Sequence, residues 1–267
     1  MIDVGLRLLI GVVVAVGVAA AAHRARALST SGAIAAVAVG TVAVAAGTNF
    51  ALLLILYFVS SSLLSRLGKR RKAERTAGVI EKEGARDARQ VTANGLIFAA
   101  ACLAGVVRGQ SDIFFVVAAG ALAASAADTW ATEIGTLFGG FPKSILTWRR
   151  LAVGASGGIT AAGTIAALAG AGAVAGVAVL LLRDSRYFGW IAAGGFVGAL
   201  TDSVAGALIQ DRRWCDACGS QTEMRIHVCG APTRRIGGLP FIENDAVNLL
   251  ATAAGAAGTA ILVHSFL

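Results

Sequence analysis

Charged residues are scarce in this chain: Asp, Glu, Lys and Arg together make up 14% of its 267 residues, against 57% hydrophobic residues. The mean hydropathy is +0.75. This shortage of charge excludes an ordinary soluble domain and indicates an integral membrane protein. Aromatic residues are also few, at 6%, and no basic patch interleaved with them appears. The sequence therefore predicts no nucleic-acid partner, in spite of a net charge of +8.

Eight apolar runs predict membrane-spanning helices in a lipid bilayer. They cover Ile2–Ala22, Leu28–Ala46, Phe50–Leu64, Val91–Val107, Ile113–Ala127 with an extension to Leu137, Ser156–Leu182, Phe188–Ile209 and Ala246–Leu267. The third run is short. Alanine and glycine dominate the runs, as expected where helices approach closely in lipid through small residues. The predicted fold is an all-α integral membrane protein, one bundle of about eight helices over residues 1–267.

The positive charges predict the orientation of this bundle. Nineteen of the 23 Lys and Arg residues lie in the loops after the first, third, fifth and seventh runs. By the positive-inside rule these four loops are cytoplasmic and both termini are outside. The apolar run before His23 also suits a cleaved signal peptide, but Asp3 stands where such a peptide carries positive charge, which favours a first membrane helix.

Acidic residues at the ends of apolar runs are the most informative feature. On a helix, Asp128, Thr129, Thr132 and Glu133 fall on one arc of about 140°. A carboxylate at membrane depth costs several kcal/mol unless it is paired, bound to a metal or open to a watery cavity, so it indicates a functional site. Asp202 occupies a comparable place in the seventh run.

The eighth run opens with a third polar cluster, made of Asn244, Asp245 and Asn248. A helix N-cap explains one Asn or Asp there, not all three. The predicted topology brings this cluster to the same depth as the acids of the fifth and seventh runs. Oxygen ligands beside basic loops are typical of a site where Mg²⁺ bridges phosphates. We therefore predict that Mg²⁺ is held by Asp128, Glu133, Asp202, Asn244, Asp245 and Asn248.

Two other segments suit phosphate binding. Arg86 and Arg89, with Gln90 and Asn94, stand at the start of the fourth run, where arginines can grip phosphate in bidentate fashion. They end a charged loop over residues 65–90 that also suits a solvated helical hairpin near anionic headgroups. Small residues at the predicted start of the sixth run, 156–158, present backbone amides typical of an anion site. The competing interpretation is that these glycines serve only packing.

Three of the four cysteines lie in one loop, within a cytoplasmic insert predicted over residues 210–243. A C-x2-C pair followed by H-x-C supplies four zinc ligands, Cys215, Cys218, His227 and Cys229. Reduced cytosolic thiols favour a metal over a disulfide. A loop without metal and a redox site are the alternatives. Cys102, alone in an apolar run, is predicted to be a core residue.

Taken together, these residues resemble the integral-membrane family of phytyl-phosphate kinases over nearly the whole chain. The resemblance lies in 86–87, 90–91, 94–95, 127–135, 156–158, 201–203, the Cys/His loop and 244–248. Its specific part is Asp-Thr-Trp-Ala-Thr-Glu at 128–133. Ala155 departs from it, because the family is expected to carry a hydroxyl residue before Ser-Gly-Gly.

The resemblance implies an enzyme that transfers a phosphoryl group from a nucleoside triphosphate, typically CTP, to an isoprenyl monophosphate such as phytyl or geranylgeranyl phosphate. Combined with the residue pattern, it predicts that the transfer depends on Asp128, Glu133, Asp202 and Lys143. Phosphates would be bound by Arg86, Arg89, Gln90, Asn94, Thr129, Thr132, Ser156, Gly157 and Gly158.

Two other functions compete with this one. An ion-coupled transporter would also place acids inside a helical bundle, although its site is expected nearer the midplane of the bilayer. Another CTP-dependent lipid transferase is the second alternative. The spaced Asp and Gly residues of CDP-alcohol transferases and the paired Asn/Asp-rich motifs of membrane prenyltransferases are both absent from the sequence.

Overall fold

The computed structural model describes residues 4–81, 84–109 and 111–266. Nine α-helices lie within this part of the chain: α1 (Val4–Arg24), α2 (Thr30–Ala46), α3 (Thr48–Arg66), α4 (Lys69–Thr76), α5 (Ala88–Arg108), α6 (Ser111–Phe138), α7 (Ala161–Leu182), α8 (Phe188–Leu208) and α9 (Asn244–Phe266). Seven are long and apolar enough to cross a membrane, and α2 is an apolar helix of 17 residues. The predicted membrane-spanning helical fold is confirmed.

Helix bounds agree with the predicted runs to within a few residues, with one exception. The short third run belongs to the longer helix α3, which extends it by two residues at each end to 19, and α2 is the shortest apolar helix among the described residues. The exception is the sixth helix, which does not begin at Ser156; α7 begins at Ala161, after the N-cap Thr160, whose hydroxyl accepts a hydrogen bond from the Gly163 amide. The predicted ends at Ile2 and Leu267 lie outside the described residues.

Helix α6 is the centre of the bundle and contacts α3, α5, α7, α8 and α9. Its residues from Phe115 to Ala127 are almost entirely buried. At the end away from the charged loops, Phe115 packs edge-on against Phe50 of α3, with ring centroids 5.0 Å apart. Most of the remaining contacts involve alanine and glycine, so the helices pack through small side chains.

Three helices approach especially closely around Ala124 of α6. A Cβ atom on Gly198 of α8 would lie 2.3 Å from the Ala124 Cβ, and one on Gly255 of α9 would lie 2.6 Å from it. Only glycine permits these distances. Asp128 and Asp202 lie one helical turn beyond this contact on α6 and α8, so the glycines bring the acid-bearing segments together.

The loops carry two small sheets that the sequence did not predict. Strands β1 (Lys143–Ser144) and β2 (Gly158–Ile159) pair between α6 and α7. Strands β3 (Arg212–Cys215), β4 (Ser220–Thr222) and β5 (Arg234–Gly237) form an antiparallel sheet in the order β4-β3-β5 within the Cys/His loop. Strands of two to four residues are too short to show an alternating pattern.

The four basic loops meet at one end of the bundle, as predicted. The Ser29 amide donates to the Arg86 carbonyl, 3.0 Å away, and joins the first loop to the third. The Glu223 amide donates to the Val79 carbonyl at 2.8 Å and joins the seventh loop to the third. The predicted cytoplasmic side of this end, and the outer position of the termini, stay predictions.

Helix length places the acids near this end. Asp128 lies seventeen residues after Ser111, or about 26 Å along α6 at 1.5 Å per residue. The hydrocarbon core of a bilayer is about 30 Å thick. Asp128 therefore lies close to the loop-side boundary of the core if α6 begins at the opposite one.

Candidate active-site cavity

A cavity of about 460 Å³ opens at the loop end of the bundle. It receives Asp128 from α6, Asp202 from α8 and Asp245 from α9. The predicted convergence of three acid-bearing helices is therefore observed. The other predicted site residues on its wall are Arg86, Gln90, Asn94, Thr129, Thr132, Glu133, Ser156, Gly157, Gly158, Asn244 and Asn248.

Two predicted residues do not line this cavity. Arg89 is exposed, and its guanidinium pairs with Glu243 at 3.3 Å. Lys143 is also exposed, and its ammonium lies 6.0 Å from the ring centroid of Trp148. Their predicted phosphate contacts have no support in this arrangement, because neither side chain lines the cavity.

The cavity wall is rich in acids. Among the described lining residues, eight are carboxylates and four are basic. The carboxyl groups of Asp128 and Asp202 lie within hydrogen-bonding reach of each other. Asp202 Oδ1 is buried and accepts no hydrogen bond from the described residues. Close carboxylates with an unsatisfied oxygen form an arrangement that a divalent cation stabilises.

Glu133 has a partner that the sequence did not reveal. The Lys72 ammonium forms a short hydrogen-bonded ion pair with Glu133 Oε2. It also donates to the carbonyls of Leu64 at 3.2 Å and Ser65 at 2.9 Å. An ammonium group has three donors, so these contacts saturate Lys72. It acts as a brace between α4 and α6, and not as a phosphate ligand.

Lys72 belongs to a helix that replaces the predicted hairpin of the third loop. Helix α4 is eight residues long; the part of that loop around residues 82 and 83 lies outside the described residues. Lys69, Lys72 and Thr76 of α4 line the cavity, whereas Arg70 and Glu74 pair with each other in solvent. Lys69, Lys72 and Thr76 are spaced by three and four residues, which places them on one face of a helix. This spacing is the sequence signal that predicts the face of α4 directed at the cavity.

Glu223 is the second site residue that the sequence analysis missed. It follows β4 in the Cys/His loop and lines the cavity. Its Oε1 accepts hydrogen bonds from Ser156 Oγ at 2.9 Å and from Gln210 Nε2 at 2.7 Å. Burial raises the pKa of its carboxyl above the usual range. Glu223 and Asp202 line the same cavity, so this loop adds a titratable group to its wall.

The Ser156-Gly157-Gly158 segment is not a helix N-terminus, which corrects the predicted geometry. It lies in a turn that leads into β2. The Gly158 amide donates to the Ala155 carbonyl at 3.2 Å. Gly157 has a φ of +75°, and a Cβ there would lie 2.5 Å from the Ala207 Cβ of α8. Gly157 therefore has a packing role, as the packing interpretation of these glycines expects.

The start of α5 is held rigidly beside the cavity. Asp87 and Gln90 form a reciprocal capping box, in which each side chain accepts a hydrogen bond from the backbone amide of the other. The Asn94 amide group donates to the Gln90 carbonyl at 2.9 Å, and its oxygen accepts from Ser125 at 2.6 Å. These hydrogen bonds fix the side-chain orientations of Gln90 and Asn94, two of the predicted phosphate-binding residues.

The four predicted zinc ligands form one cluster, with all ligating atoms within 4.8 Å of one another. The sulfurs of Cys215 and Cys229 are 3.7 Å apart, and His227 Nδ1 lies 3.2 Å from Cys229 Sγ and 3.5 Å from Cys218 Sγ. A tetrahedral zinc with Zn–S bonds of about 2.3 Å places sulfurs about 3.8 Å apart. The cluster can therefore hold a metal ion such as zinc.

The ionisation of the cysteines agrees with this geometry. Hydrogen bonds from the Ala231 amide and the His227 ring lower the pKa of the Cys229 thiol to about 6. Hydrogen bonding to the Cys229 sulfur and partial desolvation raise the pKa of Cys218 to about 11. Several thiolates at these distances repel one another, and a bound cation removes that repulsion.

The cluster also contacts the third loop. The Nδ1 atom of His227 faces the sulfurs, and its Nε2 faces Gly78, where a Cβ would lie only 2.8 Å away. Gly78 has a φ of +79°. A side chain there would therefore be strained by the backbone conformation and would also collide with the His227 ring. The His227 ring therefore connects the metal-binding loop to the third loop at Gly78. Three residues further along, Glu81 lines the cavity.

Comparison with known proteins agrees with the membrane fold. Protein PGR of Arabidopsis thaliana is 31% identical over 252 residues, which cover 83% of this chain and 81% of that protein. Uncharacterized membrane protein MJ0933 of Methanocaldococcus jannaschii is 30% identical over 164 residues, 61% of this chain and 66% of that one. No solved structure is significantly similar. The integral membrane protein DUF92 profile matches residues 13–256, and the chain belongs to that family.

Proposed function

We propose that this protein transfers the terminal phosphoryl group of a nucleoside triphosphate to an isoprenyl monophosphate. The observation that carries the proposal is the meeting of Asp128, Asp202 and Asp245, from three separate helices, in one cavity at the loop end of a membrane bundle. The resemblance to phytyl-phosphate kinases suggests CTP as the donor and a phytyl or geranylgeranyl chain on the acceptor.

The acidic wall fits Mg²⁺ bound together with a nucleotide. Asp128, Asp202, Asp245 and Asn248 would hold the ion, and the buried Asp202 Oδ1 supplies a ligand atom that no described protein group uses. When bound, Mg²⁺ neutralises phosphate charge and orients the triphosphate. Glu133 is paired with Lys72 and would position the cavity wall instead of binding the metal, contrary to its predicted role.

Basic side chains at the cavity supply the remaining phosphate contacts. Lys69, Arg86 and Arg225 line the wall, and Lys72 is saturated by its three acceptors. Arginine and lysine beside the acids can bind the oxygens of donor and acceptor without neutralising the metal site. This set replaces the predicted Arg89 and Lys143.

The transfer itself needs few chemical groups from the protein. An oxygen of the acceptor phosphate attacks the terminal phosphorus and forms a new P–O bond. The bond from that phosphorus to the bridging oxygen breaks, and the nucleoside diphosphate leaves with the electron pair. Since the acceptor oxygen is already anionic, no general base is required, and the protein acts by positioning and by charge stabilisation.

The test is a direct assay of purified protein in detergent with CTP, Mg²⁺ and geranylgeranyl phosphate. We expect geranylgeranyl diphosphate and CDP in equal amounts, and a fall to background in Asp128→Asn. Asp184→Asn is the matched control, because Asp184 pairs with Arg186 at the opposite end of the bundle. Absence of diphosphate with folded wild-type protein, or full turnover by Asp128→Asn, refutes the proposal. Ion-driven uptake into vesicles would favour the transporter instead.

A further inference from the structure

A second, apolar cavity lies beside the acidic one, between α1, α2, α3 and α5. Its volume is about 100 Å³, and most of its wall is Ala, Val, Leu and Ile. An apolar cavity of about 150 Å³ holds a benzene molecule, so about 100 Å³ is room for roughly four heavy atoms. The space therefore suits part of a single hydrocarbon chain.

The two cavities share three polar residues. Arg86, Gln90 and Asn94 line both of them. Everything else on the wall of the apolar cavity is hydrophobic or small, except the Tyr57 hydroxyl, which bonds to Ser125 at 2.5 Å. The polar residues thus stand at one end of an apolar passage, where it meets the acidic cavity.

The position of Arg86 is fixed by its main chain and by an aromatic ring. Its amide donates to the Ala27 carbonyl at 3.0 Å, and a Cβ on Gly32 would lie 2.0 Å from its carbonyl oxygen. Its guanidinium lies 5.8 Å from the ring centroid of Phe58, a wall residue of the apolar cavity. A positive charge is therefore held at the boundary between apolar and polar space.

The apolar passage extends away from this charge along the helices. Its α3 wall runs from Phe58 back to Ala51, and its α2 wall extends from Ala36 to Val44. At 1.5 Å per residue these walls are about 10 Å and 12 Å long. An extended chain of about ten atoms matches this length, and the enclosed volume holds part of it.

We propose that this passage binds the apolar tail of the acceptor, a single-chain amphiphile with a terminal phosphate, and that Arg86 holds the phosphate at the junction. The inference rests on the proposed function and adds where the acceptor lies. Charge complementarity supports this occupant: an anionic head fits the arginine, a single apolar chain fits the passage, and the acidic wall is left to the metal and nucleotide.

The first experiment tests binding without turnover. Wild-type protein in detergent is irradiated with a long-chain alkyl monophosphate that carries a diazirine near the end of its tail, and labelled peptides are mapped. We expect labels on α2 and α3 near Ala43 and Ala51, with loss of labelling by excess geranylgeranyl phosphate. Labels spread over exposed lipid-facing residues such as Leu52 and Leu56, or equal competition by two-chain phosphatidic acid, overturn the inference.

The second experiment measures chain-length selectivity. Ala51→Phe narrows the far end of the passage, and Leu52→Phe is the control, because Leu52 is 41% exposed and outside the passage. We expect Ala51→Phe to lower kcat/KM for geranylgeranyl phosphate at least about tenfold and to change it less than about twofold for dimethylallyl phosphate. Equal losses for both acceptors overturn the inference.

The two experiments separate this inference from the proposed function. Specific labelling of the passage without any diphosphate product would retain the tail site and refute the kinase. Diphosphate formation with no labelling of α2 or α3 would retain the kinase and refute the tail site. Because labelling uses wild-type protein, a failure of Ala51→Phe to fold leaves the binding result decisive.

Discussion

The ion pair between Lys72 and Glu133 offers the sharpest test of how the cavity is built. The sequence predicted Glu133 as a Mg²⁺ ligand, whereas the structure pairs it with an ammonium that bridges α4 and α6. Glu133→Gln removes the carboxylate charge and keeps the shape of the side chain. Its effect on folding and on metal use distinguishes a brace from a ligand.

The burial of the pair sets the expected magnitude. The Lys72 side chain is 10% exposed and the Glu133 side chain 20%. Removing one partner of a fully buried pair costs about 3–5 kcal/mol, and we expect about 2–3 kcal/mol here, because two carbonyls still accept from Lys72. The melting temperature should fall by roughly 5–10 °C.

The measurement is a double-mutant cycle by thermal unfolding in detergent, with Lys72→Met as the second change. The double variant should be more stable than the sum of the single effects implies, because neither charge is then left unpaired. Glu74→Gln is the control, since Glu74 and Arg70 are 63% and 93% exposed and an exposed pair contributes about 0–0.5 kcal/mol. A Glu133→Gln variant with wild-type stability and a raised Mg²⁺ requirement would refute the brace.

Three further predictions follow from other parts of the structure. The purified protein should contain zinc, lose it in Cys215→Ser and keep it in Cys102→Ser, as measured by elemental analysis. Because burial raises the pKa of Glu223, the folded state holds this proton more tightly than the unfolded state, so the free energy of unfolding should fall as pH rises above the usual glutamate pKa, and Glu223→Gln should lack this fall. Gly198→Ala forces α8 away from α6 and should destabilise by about 1–3 kcal/mol, whereas Gly189→Ala, with open space around it, should not.

The sequence predicted the acidic part of the cavity because two simple rules act there. Helical periodicity places Asp128 and Thr132 on one face, and alternation of helix direction brings Asp128, Asp202 and Asp245 to the same end. Neither rule depends on side-chain detail. The four zinc ligands were equally predictable, since their spacing alone defines two short turns.

The rest of the cavity depends on long-range contacts that no local pattern contains. Nine basic residues fill the third loop, and only the packing of α4 on α6 selects Lys72 for burial. Glu223 reaches the cavity because the β3–β4 hairpin folds back over the bundle, and such short strands have no periodic signal. Ser156 lines the cavity as predicted, but not as the start of a helix. Helix α7 begins five residues later, at Ala161, and Ser156 lies in a turn.

The glycine contacts between the helices and the carboxylates of the cavity lie on the same three helices, at different heights in the bundle. The contacts of Gly198 and Gly255 with Ala124 bring α6, α8 and α9 so close together that no side chain larger than a methyl group fits between them. Asp128 on α6 and Asp202 on α8 lie one turn nearer the loops, and Asp245 on α9 lies about three turns nearer them. These carboxylates repel one another and cannot pack in this way. The helices are therefore held together below the acids, and the cavity above them remains open at a fixed width. The glycine contacts therefore determine how far apart the helices stand, and with that the spacing between Asp128 and Asp202.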